Sequence, residues 1–79
     1  DIINSAKGLT SAYAPLSATL ISDGIYDVIS VPQAEGSVFA HGFTYSGHPV
    51  CCAAALANIE IIEREDICGH VRRVGPYFS

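Results

Sequence analysis

Tryptophan and methionine are absent from this chain of 79 residues, and lysine occurs once, at position 7. Only three arginines join it, and the net charge is −4, so no basic stripe exists to track a phosphate backbone. Nucleic acid is excluded as a partner on that ground. The longest apolar run, Val50 to Ala57, has eight residues and is bounded by Pro49 and Asn58. A membrane span needs about 20, so no membrane partner is expected. The three cysteines are an odd number, and Cys51 and Cys52 are adjacent on a helical pattern, where they cannot bridge each other. With no C-x-x-C spacing they read as reduced thiols of an intracellular, cytoplasmic protein, and no metal site is expected. Two further motifs are missing. Without G-x-G-x-x-G there is no dinucleotide fingerprint, and without G-x-S-x-G there is no nucleophile elbow. His41, His48 and His70 therefore build no credible hydrolase triad with Ser5, Ser11 or Asp23.

What is present is apolar. Hydrophobic residues make up 49% and charged residues 15%, a balance that excludes disorder. So little charge on so short a chain is the composition of interior segments cut from a larger body, since small domains have much surface to cover. The chain also lacks an initiating methionine and a signal peptide. We expect it to be a piece of a longer protein.

Local patterns outline the elements. Asp1 to Ser5 reads as the end of a strand, with Ala6-Lys7-Gly8 in the loop after it. Leu16 to Ser22 is an apolar, β-branched run of strand length, expected to be buried on both faces. Ser22-Asp23 offers an N-cap for a short helix from Gly24 to Ile29, closed by Val31-Pro32. Gln33 to Ser37 is a polar loop, and Val38 to Thr44 carries a brief extended piece. A helix is expected from Pro49 to Arg64, because proline suits the first helical position and Ala53 to Ala57 has high propensity. Its first half is apolar all round, which predicts burial on every side. His48 is placed to cap it. Asp66 caps a last short helix, Arg72 and Arg73 suit its C-terminal dipole, and Gly75-Pro76 reads as its stop. The order of strands and helices implies an α/β layer architecture, in which ligands gather at the carboxyl ends of strands, where Lys7 lies.

A lone lysine at such a boundary suits Schiff-base chemistry, because an amine condenses with an aldehyde and can afterwards act as a base. It must be partly desolvated to lose its proton near neutral pH. Ala6, Gly8 and Leu9 are the apolar neighbours expected to provide this. The wider segment, Ala6-Lys7-Gly8-Leu9-Thr10-Ser11-Ala12-Tyr13-Ala14-Pro15-Leu16, resembles the active-site stretch of the class III aminotransferases. A second segment, His41-Gly42-Phe43-Thr44-Tyr45-Ser46-Gly47-His48-Pro49-Val50-Cys51, continues the likeness in the right order and at the right separation. Its wording is similar to the ω-amine:pyruvate branch. Ala12 and Ser17 depart from the pattern, standing where glycine is common.

The resemblance implies a fold-type-I transferase dependent on pyridoxal phosphate. Residues 1–79 would be the C-terminal part of its large domain, running into the linker toward the small domain. It implies transfer of an amino group from an amine or amino acid to a 2-oxo acid such as pyruvate, in a homodimer. Lys7 would hold the cofactor as a Schiff base and shuttle a proton. Thr44 would bind the cofactor phosphate from across the dimer interface, with the backbone N–H of Phe43 assisting. The competing reading is a small non-catalytic binding or structural module, which would lack the visible absorbance of a bound aldehyde cofactor.

Overall fold

Two four-residue strands, β1 (Ile2–Ser5) and β2 (Ala18–Ile21), pair antiparallel with Ile2 opposite Ile21 and Ser5 opposite Ala18. Thr19 Oγ1 donates to Asn4 Oδ1 at 2.8 Å across the same ladder. The computed structural model describes residues 1–32 and 34–79. After the strands come α1 (Asp23–Ile29), α2 (Pro49–Arg64) and α3 (Ile67–Phe78). A 3-10 turn, Lys7–Thr10, occupies the connection between the strands.

The expected boundaries of α2 hold at both ends. Pro49 takes the first helical position, where a missing N–H costs nothing. His48 Nδ1 accepts from the Val50 N–H at 3.2 Å, the capping role expected of it. Asp66 caps α3, its Oδ1 accepting from the Gly69 N–H at 3.2 Å. The pairing requires glycine: a Cβ on residue 69 would stand 2.0 Å from Asp66 Oδ2.

Several expectations need correction. Gly75-Pro76 does not stop α3, which runs through Pro76 to Phe78. Proline forfeits only its bond to the Arg72 carbonyl there, and with two helical residues left the loss is tolerable. Ser22 stands at the N-cap of α1, but its side chain makes no capping bond, and the backbone carbonyl accepts from Ile25 and Tyr26 instead. Residues 38–44 form no strand. Of the loop expected at 33–37, residue 33 lies outside the described residues. Ala34 to Ser37 closes as a turn, Ser37 N–H bonding the Ala34 carbonyl at 3.0 Å.

Burial departs most from expectation. Among the described residues only Thr10, Cys51 and Ala55 are buried. The first half of α2 is not enclosed: Val50 is 68% exposed and Leu56 70%. The strands are not covered either, with Ile3 at 63% and Leu20 at 54%. The radius of gyration, 17.0 Å, exceeds the roughly 12 Å of a compact body this long. These apolar faces need a cover that residues 1–79 do not supply for one another.

Residues 1–79 expressed alone are therefore expected to associate or to lack a cooperative transition, because exposed apolar patches of a few hundred Å² drive association. Size analysis and denaturant unfolding check this. A soluble monomer with a sharp transition would show that the chain is self-sufficient.

Candidate active site

Lys7 lies two residues beyond the end of β1, at the carboxyl end of the strand. The preceding Ala6 is extended, and Lys7 then turns into the left-handed region with φ +53°. That conformation is disfavoured for a residue with a Cβ by about 1–2 kcal/mol. Ser11 at φ +51° and Ala12 at φ +61° repeat it at the far end of the turn. Three non-glycine residues within six positions thus hold left-handed backbone. Strain of this kind persists only where the surroundings over-determine it.

The surroundings are local and distant bonds. Within the turn, Ala12 N–H bonds the Lys7 carbonyl at 3.0 Å and Ser11 N–H bonds that of Gly8 at 3.2 Å. Thr10, buried to 3% exposure, donates its hydroxyl to the Ala14 carbonyl at 2.7 Å. From α2, Asn58 Nδ2 donates to the carbonyls of Gly8 at 2.8 Å and Leu9 at 3.1 Å. Ser11 Oγ donates to Asn58 Oδ1 at 2.5 Å. Two carbonyls facing one end of the carboxamide and a hydroxyl facing the other fix which end is nitrogen. Cys51, Ala55 and Asn58 recur at helical spacing on one face of α2, and α2 packs on the turn. Asn58 is the residue that sequence reasoning missed.

The Lys7 side chain is exposed, and Ala6 and Gly8 are exposed with it. The apolar enclosure expected from these neighbours is therefore not formed by them. Among the described residues no carboxylate pairs with its ammonium. Among the described residues the ion pairs are Arg64 with Glu60 and Glu65, and Arg73 with Asp66, all between exposed side chains.

The second segment forms its own turn. Phe43 N–H donates to Ser46 Oγ at 2.8 Å, and Ser46 N–H returns a bond to the Phe43 carbonyl at 3.0 Å. Gly47 at φ +68° completes the reversal into the helix. Ring contacts run from Phe39 to His41 at 5.9 Å and from His41 to Phe43 at 5.6 Å. Thr44 is exposed, and its hydroxyl bonds nothing among the described residues. No hydrogen bond, ion pair or ring contact joins this turn to the Lys7 turn among the described residues. Each candidate segment closes its own turn, but among the described residues no bond brings the two together.

Comparison with known proteins bears on both. The family model for class-III aminotransferases matches residues 1–79. The uncharacterized aminotransferase y4uB of Sinorhizobium fredii is 50% identical over all of this chain, which spans 17% of that protein. The probable gamma-aminobutyrate transaminase 4 of Oryza sativa subsp. japonica is 51% identical over the whole chain, 16% of its own length. Among solved structures, a transaminase from work on directed evolution by ancestral reconstruction superposes with a TM-score of 0.88 at 53% identity. The match covers 98% of this chain and 17% of that one. The chain thus spans about one sixth of the proteins it matches.

Ala12 offers a direct test of the strained turn. Ala12→Gly removes the Cβ that makes φ +61° unfavourable, while adding freedom to the unfolded chain. The expected net effect is a gain of up to about 1 kcal/mol in unfolding free energy of the intact protein, measured by denaturant titration. A clear loss would show that the left-handed conformation is not the native one.

Proposed function

Because this chain belongs to the class-III aminotransferase family, we propose that it carries the Schiff-base lysine, Lys7, of a transaminase dependent on pyridoxal phosphate. Class-III aminotransferases depend on that cofactor, and the α/β architecture is part of the fold-type-I transferase domain. In our reading residues 1–79 are the C-terminal part of the large domain, running into the linker toward the small domain. The reaction moves an amino group from an amine or amino acid to a 2-oxo acid such as pyruvate. A donor with its amine remote from its carboxylate is favoured by the likeness to a gamma-aminobutyrate transaminase.

The observation that carries this reading is the Lys7 turn. A lone amine stands past the end of a strand, on backbone held in the left-handed region, with no carboxylate to neutralise it among the described residues. Those features fit an aldehyde partner better than a salt bridge. The bound cofactor would supply an electron-withdrawing ring that acidifies the substrate carbon next to nitrogen. Lys7 Nζ, once displaced by the substrate amine, would be the base that carries the proton from that carbon to the cofactor's C4′ carbon. Its exposure here means that desolvation of the amine comes from protein outside residues 1–79.

Thr44 and Phe43 suit the cofactor phosphate. A dianion is held by hydroxyl and amide donors at a loop near a helix start, and Thr44 Oγ1 is free to donate. The Phe43 N–H is already bound to Ser46 Oγ, so it would join by exchanging that bond. Among the described residues no bond joins the Thr44 and Lys7 turns, and donors supplied by opposite subunits of a homodimer would not need one. The uncovered apolar residues of α2, Val50 and Leu56 among them, are available for such an interface.

Borohydride reduction of the full-length enzyme followed by peptide mapping is expected to leave the pyridoxyl group on Lys7. An adduct on a lysine outside this segment would refute the assignment. No visible absorbance at all would favour the non-catalytic module. Thr44→Ala is expected to weaken cofactor retention tenfold or more, since a bond to a charged phosphate contributes about 1.5–3 kcal/mol. Unchanged affinity in a dialysis titration would remove Thr44 from the phosphate site.

A further inference from the structure

We propose that Asn58 is a positioning residue for Lys7: its carboxamide holds the Lys7 turn in the left-handed geometry that directs the amine. The inference rests on the reading of Lys7 as the Schiff-base residue. Its own support is the bond pattern. Asn58 Nδ2 donates to two successive carbonyls of the turn, Gly8 at 2.8 Å and Leu9 at 3.1 Å. The peptide planes that follow Lys7 are thereby fixed to a helix remote in sequence.

The consequence for the amine follows from backbone geometry. At φ +53° the Cα–Cβ bond of Lys7 leaves the chain in a direction that an extended or right-handed residue would not give. If the two carbonyls lose their shared donor, the turn can relax to the commoner negative φ. The side chain then departs along another line, and reactions between held groups lose rate steeply with displacements of about 1 Å. Thr10 and the Ala12-to-Lys7 bond close the turn upon itself. Among the described residues only Asn58 ties the carbonyls of Gly8 and Leu9 to the helix beneath.

The discriminating variant is Asn58→Asp in the full-length enzyme. It keeps size and the acceptor for Ser11, but replaces the donor with an oxygen facing two carbonyl oxygens. We expect cofactor still to bind and the Lys7 adduct still to map to Lys7 after borohydride reduction. The pH midpoint of the bound cofactor's visible absorbance should move by half a unit or more. The value of kcat should fall at least tenfold, with KM for the amine donor changed less than threefold. A lowered Tm with the absorbance titration and kcat unchanged would overturn the proposal, leaving Asn58 a structural contact only. If the aspartate variant does not fold, Asn58→Gln decides by the same two readouts, since it keeps the donors but shifts them by one carbon. A borohydride adduct elsewhere in the wild-type enzyme would instead refute the underlying reading of Lys7, separately from the role of Asn58.

Discussion

Among the described residues, the carboxamide of Asn58 makes the only hydrogen bonds that join the early part of the chain to α2. The strand pair and the Lys7 turn come from the first third of the sequence, and α2 from the second half. Cys51 and Ala55 give α2 an apolar seat for the turn, but apolar contact is non-directional and would tolerate rotation. Three hydrogen bonds at Asn58 are directional. They settle the angle at which the turn sits and so allow Lys7, Ser11 and Ala12 to remain in a region that each disfavours.

The helices were legible because their signals are local. Proline at the first position, the alanine run and His48 before them specify α2 to both ends, and Asp66 three residues ahead of Gly69 specifies the start of α3. The strands were also visible as β-branched runs. Their pairing was not, because antiparallel register depends on how the intervening turn folds. The stop expected at Gly75-Pro76 failed for a physical reason: a proline in the last helical turn loses one bond and obstructs nothing beyond it.

The candidate site could be named from residue types, but its geometry could not be read from them. Lys7 and Thr44 stand out through composition and motif. Nothing local to Lys7 announces a positive φ, and nothing local to Asn58 announces that its amide will meet carbonyls 50 residues earlier. An asparagine inside a helix reads as a weak helix former. The one trace was Ala12, which stands where glycine is common and which the structure places at φ +61°. The burial expected for Lys7, β2 and the first half of α2 was read from residue type alone. Residue type says which surfaces want cover, and residues 1–79 leave most of those surfaces open.

The sequence separation of the Asn58 bonds has a consequence for how the site comes into being. Contacts 49 and 50 residues apart form only after loop closure has been met, and during synthesis only after residue 58 has emerged. Until then the strands and the 3-10 turn can form from neighbouring residues, but no distant donor holds the carbonyls of Gly8 and Leu9. The lysine backbone is free to take its relaxed form throughout that interval. Order therefore reaches the backbone of Lys7 after the strands beside it, and a nascent chain carries this lysine well before it carries the bonds that fix its turn.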